Sequence, residues 1–316
     1  MVCLCHFGFP LENDKSFFGL FRIFEKYGPY GVHIFFVISG FIIPFSLFKG
    51  NYQLKNYPQF LYKRVLRLHP PYLAALVLTL TIMYFSYKAR HVPFPETITS
   101  IFEGVFYLHT PPDNPVFWTL LVEAQYYIFI GLFYILLMHS ARLAYFIAIP
   151  ILLLLCHTVA KPYLLISSYL SFFLLGNITY MIYTNNGEKI VNLIALAGML
   201  IFIAFFSKFP ALLFATSTFS FIILFKKAIG PIPAFIGNIS YSIYLIHFPL
   251  GVKLINFLKP RINPQYNWLL FGGTLVLTIA TAWVFYKIFE EFSERLSKKI
   301  RYMPTLVPAD APKVLA

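Results

Sequence analysis

Gly31-Val-His-Ile-Phe-Phe-Val-Ile-Ser-Gly-Phe-Ile-Ile43 is apolar enough to enter a bilayer. It nevertheless carries an imidazole at His33, a hydroxyl at Ser39 and glycines at positions 31 and 40. A helix that only had to sit in lipid would not need the imidazole, because each polar group buried in hydrocarbon costs free energy. Small residues let a neighbouring helix approach closely, and polar ones face a bundle interior. From this stretch alone two readings stay open: a spanning helix with a satisfied histidine near the water interface, or a helix lining a functional site.

The rest of the chain favours membrane spans throughout. Of 316 residues, 59% are apolar and only 12% charged, and mean hydropathy is +0.72. Globular chains carry about 25% charged residues. Aromatics at 20% suit interfacial belts and a packed polytopic bundle. The net charge of +13 does not point to nucleic acid, because the basic residues sit in loops between apolar runs. Positive-inside topology and contact with anionic lipid or an anionic cofactor account for it. Cys3, Cys5 and Cys156 are too few for a disulfide framework. A metal site at Cys3, Cys5 and His6 lacks a second ligand pair at zinc spacing, so no metal is expected. No cleavable signal peptide is visible before His6.

With roughly 20 apolar residues needed per span, complete spans are expected at about 29–48, 66–87, 117–138, 143–160, 163–183, 190–207, 210–226, 235–258 and 267–289. Before them, Met1 to Phe9 is too short to cross at about 1.5 Å per residue. Counted as the end of a first helix, it gives an all-α polytopic bundle of about ten helices with the first one truncated. The expected domain runs over 1–291, followed by a cytoplasmic, disordered tail at 292–316, whose stretch after Arg301 lacks periodicity.

Scoring alternate loops puts fifteen Lys and Arg on one side and ten on the other. The richer side holds Lys49, Lys55, Lys63, Arg64, Arg67, Arg142, Lys189, Lys226, Lys227 and the six from Lys287 to Lys313. The other holds Lys15, among others. The 49–67 loop and the tail are therefore expected in the cytoplasm. The loop at about 88–116 carries Pro93, Pro95, Pro111, Pro112 and Pro115. A loop of that length is more often functional than idle, and Ile98 to Leu108 is apolar enough to dip back into the membrane edge.

Four polar clusters stand out. His6 precedes Phe-Gly-Phe-Pro10, which ends the first fragment. A lone histidine at a helix end is usually structural, but a neutral imidazole in a bundle suits a general base. Arg64 and Arg67 are three apart and share a helical face. Two guanidinium groups at a helix mouth suit a phosphorylated cofactor or merely anchor the span. Trp118-Thr-Leu-Leu-Val-Glu123 places an acid about six residues into an apolar span, where an ionisable group is costly and needs a partner. Gly237-Asn-Ile-Ser-Tyr-Ser-Ile-Tyr-Leu-Ile-His-Phe-Pro249 puts Tyr244 and His247 on one face, as a polar seam or as a packing motif that positions one.

These clusters, in this order, resemble the integral-membrane acyltransferase type 3 family. Its members carry a first-helix histidine, a helix reading approximately G-V-D-x-F-F-V-x-S-G-F and an R-x-x-R pair. A W-S-L-x-x-E-like helix start and an S-Y-S-x-Y-L-x-H-x-P segment follow. Here these are His6, Gly31–Ile43, Arg64 with Arg67, Trp118–Glu123 and Ser240–Pro249, and the resemblance runs to about Glu291. It implies a multi-pass protein of the inner (plasma) membrane. Such a protein moves an acyl group, often acetyl, from cytoplasmic acyl-CoA to a hydroxyl of an extracytoplasmic or lipid-linked carbohydrate. Acetyl-CoA or another acyl-CoA would be a donor substrate, with no cofactor bound permanently. By the same resemblance His6 matches the catalytic histidine, Arg64 and Arg67 the conserved pair that clamps CoA phosphates, and Trp118 and Glu123 the conserved Trp and acid. His6 is expected to be the general base, with Glu123 or a neighbour as its orienting or charge-balancing partner. His33, Ser39, Trp118, Tyr244 and His247 are expected to bind substrate.

Two departures stand. The family's arginine about ten residues upstream of its histidine is not in this sequence, which begins five residues before His6; a start codon placed too late is the expected reason. His33 stands where an acid is common, and an imidazole cannot supply a permanent negative charge. A non-catalytic carrier for an acylated or anionic solute and an inactive truncated relic are the alternative readings.

Overall fold

The computed structural model describes residues 1–11, 19–225 and 230–302, and no strand occurs among them. Each long apolar run has become a helix, because in hydrocarbon a backbone N–H or C=O must find its partner within the segment. The chain is an all-α polytopic bundle. We label the helices α1 (Val2–Gly8), α2 (Leu20–Tyr27), α3 (Gly31–Lys49), α4 (Tyr57–Ala89), α5 (Ile98–Val105) and α6 (Trp118–His139). Then follow α7 (Ala141–Thr158), α8 (Leu170–Tyr183), α9 (Lys189–Phe206), α10 (Phe209–Leu224), α11 (Pro231–Asn238), α12 (Ser240–Arg261) and α13 (Pro264–Lys299). Among the described residues seven helical segments are long and apolar enough to cross a membrane; α1, α8 and α10 are shorter apolar helices.

Several expected boundaries change. The span expected at 163–183 is a regular α-helix only from Leu170, after a 3-10 turn at Leu165–Ser168. The span expected at 235–258 is broken at Ile239, where α11 stops and α12 begins. α12 then loosens into a π-helical stretch at His247–Val252 around Pro249, since proline lacks the N–H that a regular turn needs. The tail expected from 292 is helical to Lys299. Ion pairs at i,i+4 carry the helix past the end of its apolar run: Lys287 with Glu291 at 3.3 Å, Glu291 with Arg295 at 2.9 Å and Glu294 with Lys298 at 3.0 Å. Lys15, Lys226, Lys227 and the stretch 303–316, on which parts of the charge count and the disordered tail rest, lie outside the described residues.

α3 packs most closely on α8. A Cβ on Gly40 would overlap the Phe173 carbonyl, and one on Gly176 would overlap the Val37 carbonyl, so both glycines are required by the crossing. Phe36, Tyr126, Phe173 and Tyr180 fill the core where α3, α6 and α8 meet. A second core joins α4, α6, α12 and α13 through Tyr72, Phe117, Leu245 and Phe285. A third, with Phe7, Phe21, Val252 and Leu270, fastens α1 and α2 to α12 and α13. α1, though short, is thereby held inside the bundle.

The proline-studded loop after α4 does more than touch the membrane edge. Tyr107 reaches back to bond its hydroxyl to His69 Nδ1 at 2.9 Å, and Tyr72 donates to the Gly104 carbonyl. His69 lies twenty residues before the end of α4, so the loop re-enters by about 30 Å along that helix. Tyr107 holds φ at +66°, a strained conformation for a non-glycine residue. The loop returns through Asn114, buried, whose Nδ2 donates to Thr79 Oγ1 at 3.1 Å and to the Leu245 carbonyl at 3.0 Å.

Candidate functional site

His6 and His247 are 241 positions apart in sequence and bonded to each other. His6 Nδ1 and His247 Nε2 are 2.8 Å apart, with ring planes within 11° and centroids 5.1 Å apart. The surrounding hydrogen bonds assign their protons. His247 Nδ1 lies 2.8 Å from the Tyr244 carbonyl and 3.1 Å from the Ile243 carbonyl. A carbonyl can only accept, so Nδ1 carries the proton and neutral His247 offers a lone pair at Nε2. His6 must then donate from Nδ1, which leaves the lone pair on His6 Nε2. The pattern is that of an oriented base: one ring nitrogen tied down, the other free to take a proton.

The pair sits between two cavities. One, of about 210 Å³, is lined by His6, His33, Trp118, Tyr169 and Tyr244, with Pro29 and Pro115. His33 and Trp118 lie at the starts of α3 and α6, with Pro29 and Pro115 just before those helices, so this cavity faces the proline-loop end of the bundle. The other, of about 340 Å³, is lined by His247, Tyr244, Thr119, Glu123, Ser240, Tyr241 and apolar groups that include Phe35 and Leu120. These lie further along α3 and α6 and at the start of α12, toward the end that carries the 49–67 loop. Val2, Val32 and Tyr244 line both cavities. Tyr244 is held firmly in the partition: its hydroxyl donates to the Val116 carbonyl at 2.7 Å and shares a hydrogen bond of 2.5 Å with Thr119 Oγ1.

His33, Trp118 and Tyr244 therefore share a cavity with His6. Burial leaves His33 Nδ1 without a hydrogen-bond partner, while its ring stands edge-on to Phe172 at 4.5 Å. Trp118 and Tyr169 form an aromatic wall with centroids 5.1 Å apart. Ser39 is not brought here. It is buried beside Gly40 in the α3–α8 crossing and lines neither cavity, because the small side chain serves close helix approach.

Glu123 is not the partner of His6; that place is taken by His247. Glu123 is buried in the second cavity and accepts the hydroxyl proton of Tyr127, one helical turn on. Arg64 and Arg67 both act on it electrostatically. The two arginines do not form one open clamp. Arg64 is buried, with Nη2 at 3.3 Å from Ser46 Oγ and its guanidinium 5.3 Å from the Phe60 ring and 5.6 Å from that of Tyr127. Arg67 is exposed. A three-residue step turns a helix by about 300°, so two residues on one face still diverge enough for one to point inward and the other out.

One residue went unnoticed in sequence. Glu290, on α13, accepts from the backbone N–H of Ser242 at 3.1 Å and from its hydroxyl at 2.5 Å. Its only sequence signal is an acid at the last turn of an apolar run, masked by the charged residues that follow. Comparison with protein families matches residues 1–287 to an acyltransferase domain, that of the acyltransferase 3 family. No curated protein and no solved structure matches the chain.

Proposed function

The chain belongs to the acyltransferase 3 family, and on that premise we propose that this multi-pass membrane acyltransferase moves an acyl group, acetyl in the simplest case, from acyl-CoA to a carbohydrate hydroxyl. The observation that carries the reading is the His6–His247 pair between two cavities. A thioester already stores the driving force, so the protein has to bring donor and alcohol together and handle one proton. The acceptor hydroxyl enters the smaller cavity, against the Trp118–Tyr169 wall, with His33 offering a hydrogen bond to it. The thioester approaches from the Glu123 side. His6 Nε2 takes the hydroxyl proton as the oxygen attacks the thioester carbon; the C–O bond forms, the C–S bond breaks, and the proton passes to the leaving thiolate. The positive charge that develops on His6 is stabilised by the lone pair of His247 Nε2, whose own N–H rests on two carbonyl dipoles.

Glu123, Arg64 and Arg67 then belong to the donor side. Exposed Arg67 meets the CoA phosphates, while buried Arg64 balances Glu123. The 49–67 loop lies in the cytoplasm and the acceptor is an extracytoplasmic or lipid-linked glycan at the plasma membrane. The test uses proteoliposomes with acetyl-CoA on one side and a methyl glycoside on the other. We expect glycoside-dependent release of CoA thiol and an acetyl ester by mass, both lost in His6→Ala. Undiminished turnover in that variant, or solute movement without thiol release, would overturn the reading.

A further inference from the structure

We propose that Glu290 is a positioning residue: from a neighbouring helix it caps the first turn of α12 and so fixes where His247 meets His6. The N–H groups of a helix's first turn have no partner within the helix. The residue before α12 is Ile239, whose side chain cannot accept a hydrogen bond, and α12 lacks a side-chain cap of its own. Glu290 supplies one by taking the N–H and the hydroxyl of Ser242 on a single oxygen. Ser242 is fully buried and Glu290 only 5% exposed, so neither group has water as a substitute. The carboxyl also faces the positive end of the helix dipole.

The regular part of α12 needs an external pin. It is the seven-residue stretch Ser240–Ile246, interrupted below at Ile239 and above by the π-helical stretch that begins at His247. His247 is bonded through Nδ1 to carbonyls of this same stretch, so its ring moves as the stretch moves. Ser242 lies five residues before His247, about 7.5 Å along the axis. Any shift of that segment opens the 2.8 Å contact with His6.

The proposal rests on the transferase reading for its kinetic arm alone. In the full chain reconstituted in nanodiscs, Glu290→Ala should lower kcat about 10- to 100-fold, the cost of a misplaced catalytic group. KM for acetyl-CoA should stay within about twofold on that reasoning. Glu290→Gln keeps an oxygen acceptor for Ser242 and should restore most of kcat. The second arm needs no turnover. In protein labelled with 15N-histidine, the hydrogen-bonded Nε2 resonance assigned through His247→Asn should move to the position of a free imidazole nitrogen in Glu290→Ala and stay put in Glu290→Gln. An unchanged resonance in Glu290→Ala, or kcat per folded molecule unchanged while only thermal stability falls, overturns the proposal. A shifted resonance in a protein whose wild type never cleaves acetyl-CoA overturns the transferase reading and leaves this one standing.

Discussion

At His247 the chemistry depends on which nitrogen carries the proton, and backbone carbonyls make that choice. Replacing His247 with Phe keeps the ring volume and removes the acceptor for His6 Nδ1. His6 is then free to turn or to adopt the other tautomer. We expect kcat to fall about 100-fold, within the range for losing an organised acid–base group, with KM for acetyl-CoA little changed; steady-state thiol release checks it. His6, His33, Trp118, Glu123, Tyr244 and His247 were legible in sequence because each is a polar or bulky group placed at a cost among apolar neighbours. Their partners on other helices were not. Helical periodicity says which residues share a face and nothing about which distant helix that face meets. For that reason Glu123 was expected beside His6, whose mate is His247 on α12.

Between helices, the α3–α8 crossing decides whether the cavities exist at all, because His33 and Phe35 are carried on α3 and Tyr169 directly precedes α8. Gly40→Val would drive a branched side chain into the Phe173 carbonyl. The expected cost is about 1–3 kcal/mol, as for an overpacked core, seen as a lower midpoint of thermal unfolding in detergent. Gly198, which has open space around its Cβ position, is the control: Gly198→Ala should be neutral or slightly stabilising in the same assay. The crossing could be anticipated from glycines in an apolar run. The re-entrant loop could be anticipated only in part, since its prolines announce irregular backbone without saying how deep it goes. Its depth is set by the contacts of Tyr107 with His69 and of Asn114 with Leu245, which no local signal encodes.

Across the whole molecule, the proposed reaction has a direction only if the two ends of the bundle face different compartments. α4 is 33 residues long, about 50 Å, longer than a hydrocarbon core of about 30 Å, and so long enough to put the chain before it and the chain after it on opposite sides. The two segments that concentrate the basic excess, the 49–67 loop and the end of α13, lie at one end. The ring of Tyr302, at the close of the described chain, packs 5.5 Å from that of Tyr52 and lies 5.6 Å from the Lys63 ammonium. The 49–67 loop and the end of α13 thus meet, and the positive-inside tendency acts on both together. In a background with Cys3, Cys5 and Cys156 replaced by alanine, single cysteines at Lys55 and Val92, both exposed, report the sidedness. An impermeant maleimide added to intact cells should label Val92→Cys at once and Lys55→Cys only after permeabilisation. The reverse pattern would put the Trp118–Tyr169 cavity on the cytoplasmic side and turn the proposed route from thioester to alcohol around. Labelling of both from one side would mean that α4 does not cross, and the two-compartment mechanism would fall with it.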